Sequence, residues 1–151
     1  KEKGAEILCR EWVNSRGVIV RFSRQCLEIK AMDEQECIRS DMAITAFVLA
    51  LLRNRDLDLD DEESALRALI DSAMRRGTEP LRPELRRLYA AAVESATDDE
   101  RAYLPLVAER IERGSVGEIM AREVRKSGDL HGFLERAEQC LWLNTPLRER
   151  T

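Results

Sequence analysis

The chain has 151 residues, of which 44% are hydrophobic and 36% are charged, and this composition excludes an intrinsically disordered chain. Its formal net charge is −4, with acidic and basic residues interleaved, which argues against a general nucleic-acid-binding surface. The length suits one soluble globular domain with one hydrophobic core.

The first 30 residues contain two patterns of helical spacing. Residues 2–15 place Ala5, Leu8, Cys9 and Trp12 three and four positions apart, which predicts an amphipathic helix. The β-branched run at residues 18–20 could begin a strand. The apolar residues that follow it, Phe22, Cys26 and Ile29, are instead spaced as on one face of a helix. We therefore predict a second helix here, since no partner strand is evident.

The most hydrophobic segment is residues 42–52, in which Thr45 is the only polar residue. Asp33 followed by Glu36 resembles a capping box, so we predict a central helix over residues 33–53. Because every face of residues 42–52 is apolar, we expect neighbouring helices to bury this segment on all sides. The run is too short and too closely flanked by charges to span a membrane.

Capping signals delimit the remaining helices. Gly77 follows a helix over residues 61–76, Pro80 and Pro83 open another that runs to residue 96, and Gly128 precedes the last one. Capping boxes at residues 97–100 and 115–118 begin two more helices, and Pro105 should kink or split the first of them. The predicted fold is all-α: a compact single-domain bundle of about seven or eight helices over residues 1–151. A loose similarity between residues 60–77 and 98–114 leaves a two-copy repeat open.

The four cysteines, Cys9, Cys26, Cys37 and Cys140, contain no C-x-x-C spacing. Their apolar neighbours slightly favour buried thiols over disulfides, although Cys26 and Cys37 could pair across a turn in an oxidising compartment. A cytoplasmic location is accordingly favoured slightly over a periplasmic or secreted one.

Motifs for metal and cofactor chemistry are missing from the sequence. His131 is the only histidine, which excludes a site built from several histidines, and no glycine-rich phosphate loop occurs. The carboxylates are expected on helix exteriors rather than paired in a cleft. We therefore predict no cofactor, no metal site and no catalytic residue.

The candidate binding residues form a local concentration of arginines: Arg75, Arg76, Arg82, Arg86 and Arg87. Arg82 and Arg86 share a helical face, and such a patch could receive carboxylates or phosphates. Glu79 and Glu84 dilute the positive charge, and aromatic residues for stacking bases are not interleaved. An acidic protein partner is therefore favoured over nucleic acid.

These observations predict a non-catalytic protein–protein interaction module, such as an adaptor, chaperone, inhibitor or immunity-type protein, that binds through a helical face or groove. Two alternatives stay open. One is a nucleic-acid-associated regulator that uses residues 75–87, and the other is a small helical enzyme with a cysteine nucleophile. The oligomeric state is left open.

Overall fold

The computed structural model describes residues 17–30, 32, 34–58 and 62–150. The helix predicted over residues 2–15 lies outside these ranges. The chain divides into two compact units, with the boundary between Glu34 and Gln35. The prediction of a single domain over residues 1–151 stays a prediction.

The first unit contains an antiparallel β-hairpin. Strand β1, Val18–Arg21, pairs with strand β2, Cys26–Ile29, so that Val18 lies opposite Ile29 and Arg21 opposite Cys26. A short 3₁₀ turn and Gln25, in the left-handed conformation with φ of 52°, connect the strands. The helix predicted over residues 18–29 is therefore wrong. Its β-branched start carried the correct signal, and the helical spacing of the later apolar residues was coincidental.

The two faces of the hairpin differ in exposure. Ile19 and Arg21 are buried, whereas Val18 and Val20 are exposed, as expected for alternation along a strand. The Arg21 guanidinium forms an ion pair with Glu28 on the neighbouring strand. The hydrogen bond from Arg21 lowers the pKa of Glu28, and Lys30 and Arg24 add attraction to the ionised form.

The second unit is helical throughout its regular structure. Its helices are α1 Ile38–Arg53, α2 Glu63–Arg76, α3 Arg82–Ser95, α4 Asp98–Arg101, α5 Leu104–Arg113, α6 Val116–Ser127 and α7 Leu130–Leu143. A 3₁₀ turn, Glu79–Leu81, precedes α3. The prediction of a mostly helical chain is confirmed. In the part of the chain that the structure describes, however, six helices have ten or more residues and α4 is a single turn, rather than the seven or eight predicted.

Local signals located most helix ends correctly. Thr97 with Glu100 and Ser115 with Glu118 form complete capping boxes at the starts of α4 and α6. The predicted break at Pro105 is also confirmed: α4 ends at Arg101, and Pro105 occupies the first turn of α5, where its missing N–H costs no intrahelical bond.

Helix α1 begins later than predicted. Its first residue is Ile38 and its N-cap is Cys37, so the predicted start at residue 33 is wrong. Asp33 lies outside the described residues. Glu36 does not complete a capping box with its own helix. Its carboxylate accepts hydrogen bonds from Ser40, Arg110 and the backbone N–H of Leu147 instead.

The burial of α1 also differs from the prediction. Its buried side is made of small residues, namely Ser40, Ala43, Ala46 and Ala50, and it packs against α3 and α5. Its other side remains exposed and carries Ile38, Met42, Leu49 and Leu52. The expectation that this segment is covered on all sides is therefore wrong. A uniformly apolar sequence does not specify which side packs, and small side chains allow the closest approach of two helix backbones.

Two groups of buried side chains form the core of the second unit. Around α1, α3 and α5, Ala50 and Ala92 pack with Leu104, and Ala43 packs with Val107 and Ile111. Around α6 and α7, Ile119 and Phe133 pack with Leu147, which lies in the segment after α7. Residues 144–150 are therefore part of the packed structure.

A bidentate ion pair joins the end of α1 to the start of α4. The Arg53 guanidinium donates to the two carboxylate oxygens of Glu100 at 2.7 and 2.9 Å. This bond, together with hydrogen bonds from Thr97, lowers the pKa of Glu100 from 4.5 to about 2. Glu100 thus serves both the capping box and the contact between α1 and α4.

The Arg53–Glu100 pair should make the stability of the second unit depend on pH in acid. Because the pKa of Glu100 is lower in the folded chain, its contribution is complete above about pH 4.5 and is lost as the pH falls toward 2. We expect the free energy of unfolding of Glu100→Gln to fall less than that of the native chain across this pH interval. Urea unfolding at a series of pH values measures it. Arg53→Gln should have a smaller effect in the same direction, because the hydrogen bonds between Thr97 and Glu100 remain, and the double variant should match Glu100→Gln. Parallel pH curves for the native chain and all three variants would contradict this prediction.

Within the described ranges, none of the helices has both the length and the apolar character needed to cross a bilayer. The apolar helix α1 has 16 residues, fewer than the approximately 20 that a span requires.

Candidate functional site

A charged cleft of about 600 Å³ lies beside the junction of α5 and α6 in the second unit. Its cations are Arg82, Arg113, Arg122, Lys126 and Arg150. Its carboxylates are Glu79, Glu112, Glu118 and Glu149. The volume is typical of small-molecule sites, but every described side chain that lines it is charged, whereas most such sites are largely apolar.

The end of α5 holds two of the cleft's arginines. Arg82 Nε donates to the carbonyl oxygen of Ile111 at 3.1 Å, and Arg122 Nη2 donates to that of Arg113 at 2.6 Å. The last carbonyls of a helix have no intrahelical partner, and the helix dipole places negative charge there. The C-terminus of α5 therefore orients both guanidinium groups.

Glu118 joins α6 to the turn between α2 and α3. Its carboxylate accepts hydrogen bonds from the backbone N–H of Ser115, and from both the N–H and the hydroxyl of Thr78. Burial raises its pKa, but the hydrogen bonds from Ser115 and Thr78 outweigh that effect and lower it overall. Gly77 has a φ of 71°, a conformation that favours glycine, and a Cβ there would lie 2.5 Å from Glu118 Cδ and force the Glu118 side chain to shift.

The segment after α7 supplies one wall of the cleft. Glu149 accepts hydrogen bonds from Arg122 at 3.0 and 3.3 Å, and Lys126 Nζ lies 3.7 Å from the same carboxylate. The hydrogen bond from Arg122 lowers the pKa of Glu149, and the same bond raises the pKa of Arg122. A carboxylate of the chain itself therefore lies against two of the cleft's cations.

The structure does not bring the five predicted arginines together. Arg82 lines the charged cleft, and Arg86 pairs with Glu112 at 2.6 Å. Arg75 is bonded to Asp71 on its own helix. Arg76 and Arg87 line a separate groove between α2 and α3. That these residues bind a partner stays a prediction.

Arg82 is the only one of the described cleft residues that the sequence analysis proposed as a binding residue. The capping box at Ser115 marked the junction of α5 and α6, and this is the one local signal near the cleft. The pairing of Arg122 with Glu149 joins positions 27 residues apart through the packing of the last segment. Sequence spacing does not encode such a contact.

The cysteines and the histidine were candidates for metal binding or for a nucleophile. Cys26, Cys37 and Cys140 carry free thiols, and Cys9 lies outside the described residues. Burial raises the pKa of Cys140, which disfavours the reactive thiolate. His131 is exposed, 3.3 Å from Glu135. In residues 17–30, 32, 34–58 and 62–150, no three His, Cys, Asp or Glu side chains are arranged to hold a metal ion.

Comparison with known proteins identifies the family of the chain. The family model for glutamate-cysteine ligase family 2 (GCS2) matches residues 1–139. This chain belongs to that family. An uncharacterized protein of Archaeoglobus fulgidus is 50% identical over 149 residues, which cover 95% of this chain and 40% of the archaeal protein. The chain thus spans about two fifths of the length of this archaeal relative. No solved structure matches the chain.

Membership in GCS2 corrects the functional prediction. The predicted non-catalytic interaction module, and with it the preference for a chain that is not an enzyme, are wrong, because GCS2 is a family of ligases. The predicted adaptor role is wrong for the same reason. The error has a physical cause: a ligase can bind ionic substrates with dispersed charged side chains, and these need no short motif. In a chain that is 36% charged, such residues do not stand out.

Proposed function

We propose that this chain is the mainly helical part of a ligase that joins the carboxylate of glutamate to the amine of cysteine or of a similar amino acid. The observation that carries the proposal is the match of the GCS2 family model to residues 1–139. The complete activity is proposed for a longer polypeptide, since the chain spans 40% of its archaeal relative.

The chemistry of amide formation sets what such an enzyme must provide. A carboxylate is a poor electrophile, so a ligase couples the reaction to cleavage of a nucleoside triphosphate. Glutamate, cysteine and the nucleotide are all ionic at neutral pH, and proteins recognise such groups with guanidinium, ammonium and carboxylate side chains. The charged cleft displays these groups on the helical unit. That supports a role for the cleft in binding ionic ligands.

The proposal is tested by assaying the purified chain and the full-length archaeal relative in parallel. Each protein is incubated with ATP, Mg²⁺, glutamate and cysteine, and ADP and the dipeptide are measured by mass spectrometry. We expect the archaeal relative to form dipeptide and ADP in equal amounts. Omission of either amino acid should suppress both products.

A panel of other amines separates the reaction class from the choice of acceptor. An ADP-coupled amide formed from glutamate and a different amine would support a ligase with another acceptor. If the archaeal relative releases no ADP with any pair of amino acids, or releases it independently of them, the proposal is overturned.

A further inference from the structure

We propose that the charged cleft binds a small multivalent oxyanion, and that Glu149 is an internal carboxylate that such a ligand displaces. This inference does not depend on the proposed ligase activity, because it concerns binding in the absence of turnover. It is drawn from the charges that line the cleft, from how they are held, and from the contacts of Glu149.

The first step concerns the balance of charge. Five cations and four carboxylates line the cleft. Of the carboxylates, Glu149 pairs with Arg122 inside the cleft, whereas Glu112 pairs with Arg86, which does not line it. By contrast, Arg113 is exposed, and its ion pair with Glu109 is long at 3.9 Å. The cleft therefore offers more positive charge than its own carboxylates neutralise.

The second step concerns how rigidly the cations are placed. Arg82 and Arg122 are each tied to a carbonyl oxygen at the end of α5. A guanidinium group has five N–H donors in a fixed plane, so one such bond fixes the group while leaving other donors for a ligand. Cations that are already oriented lose less conformational entropy when an anion binds.

The third step concerns Glu149. Its two oxygens accept from Arg122 Nε and Nη2, the forked geometry that a phosphate or a ligand carboxylate would also adopt. The backbone around it is held independently: Leu147 is fully buried, and the N–H of Arg150 donates to Glu123 at 2.8 Å. The Glu149 side chain can therefore leave Arg122 and Lys126 by rotation, without detachment of the segment.

The experiment measures binding of inorganic pyrophosphate and of citrate by isothermal titration calorimetry, at constant ionic strength. We expect Arg113→Gln to weaken binding by about tenfold, as a lost charge-assisted contact would. Glu149→Gln should strengthen binding severalfold, because it removes the competing negative charge and frees Arg122. Arg67→Gln is the matched control, since Arg67 pairs with Glu63 on α2, away from the cleft.

Three outcomes would support the proposal and three would overturn it. With this pattern of variants, binding of pyrophosphate alone assigns a phosphate ligand, binding of citrate alone assigns a polycarboxylate ligand, and binding of both assigns a general oxyanion site. The proposal is overturned if neither anion binds the native chain or Glu149→Gln, if Arg67→Gln matches the effect of Arg113→Gln, or if Glu149→Gln weakens binding. Thermal unfolding of each variant without ligand separates lost binding from lost folding.

Discussion

Replacement of Glu36 with alanine is expected to lower the free energy of unfolding of the second unit by about 3–5 kcal/mol, as when one partner of a buried ion pair is removed. The Glu36 side chain is only 4% exposed. Its Oε1 accepts from Arg110 at 2.6 Å, from Ser40 at 2.8 Å and from the N–H of Leu147 at 3.1 Å. Without the carboxylate, Arg110 would keep a poorly solvated charge, and the N–H of Leu147 would lose its acceptor.

Urea unfolding followed by circular dichroism measures this loss. The double variant Glu36→Ala/Arg110→Met should recover part of the stability, since it removes both charges and replaces the arginine with an apolar side chain. Glu94→Ala, at an exposed position on α3, is the control and should change the stability by less than about 0.5 kcal/mol. A cost for Glu36→Ala as small as that of the control would show that the carboxylate does not hold these segments together.

Replacement of Leu147 with alanine is expected to cost about 2–5 kcal/mol, the range for truncation of a buried leucine. Leu147 is 0% exposed and packs with Ile119 and Phe133, although it lies beyond the last helix. Its removal would leave a cavity between α6 and α7. The loss should appear as a lower midpoint of urea unfolding with little change in the slope.

Leu143→Ala is the matched control for Leu147→Ala. It removes the same atoms four residues earlier, from a side chain that is 71% exposed. We expect Leu143→Ala to lower the free energy of unfolding by a small fraction of the loss in Leu147→Ala, because the Leu143 side chain is already largely exposed to water. If the two variants unfold at the same urea concentration, the segment after α7 does not contribute to the core.

The sequence predicted the helices with local end signals better than it predicted their packing. The capping boxes at Thr97 and Ser115 and the break at Pro105 are each decided within a few residues, and the structure has all three. The hairpin was missed because apolar spacing at Phe22, Cys26 and Ile29 outweighed the β-branched start. Its partner strand is short and has little sequence signal of its own.

The exposed side of α1 and the charged cleft could not be predicted for a different reason. Both depend on contacts between distant parts of the chain. Ala43 of α1 packs with Val107 and Ile111 of α5, and Arg122 meets Glu149 across 27 positions. Contacts between distant positions leave no local pattern in the sequence. The sequence therefore shows which side chains are charged but not which of them share a cleft.

Because one side of α1 is lined with buried alanines, we expect substitutions to be tolerated on its exposed side and not on its buried side. Ala46 and Ala50 leave no room for larger side chains, because added methylene groups in a filled interior force neighbouring atoms apart. Ile38, Met42, Leu49 and Leu52 point away from that interior. Hydrophilic substitutions at these four positions should reduce nonspecific association of the isolated chain without changing the backbone of α1.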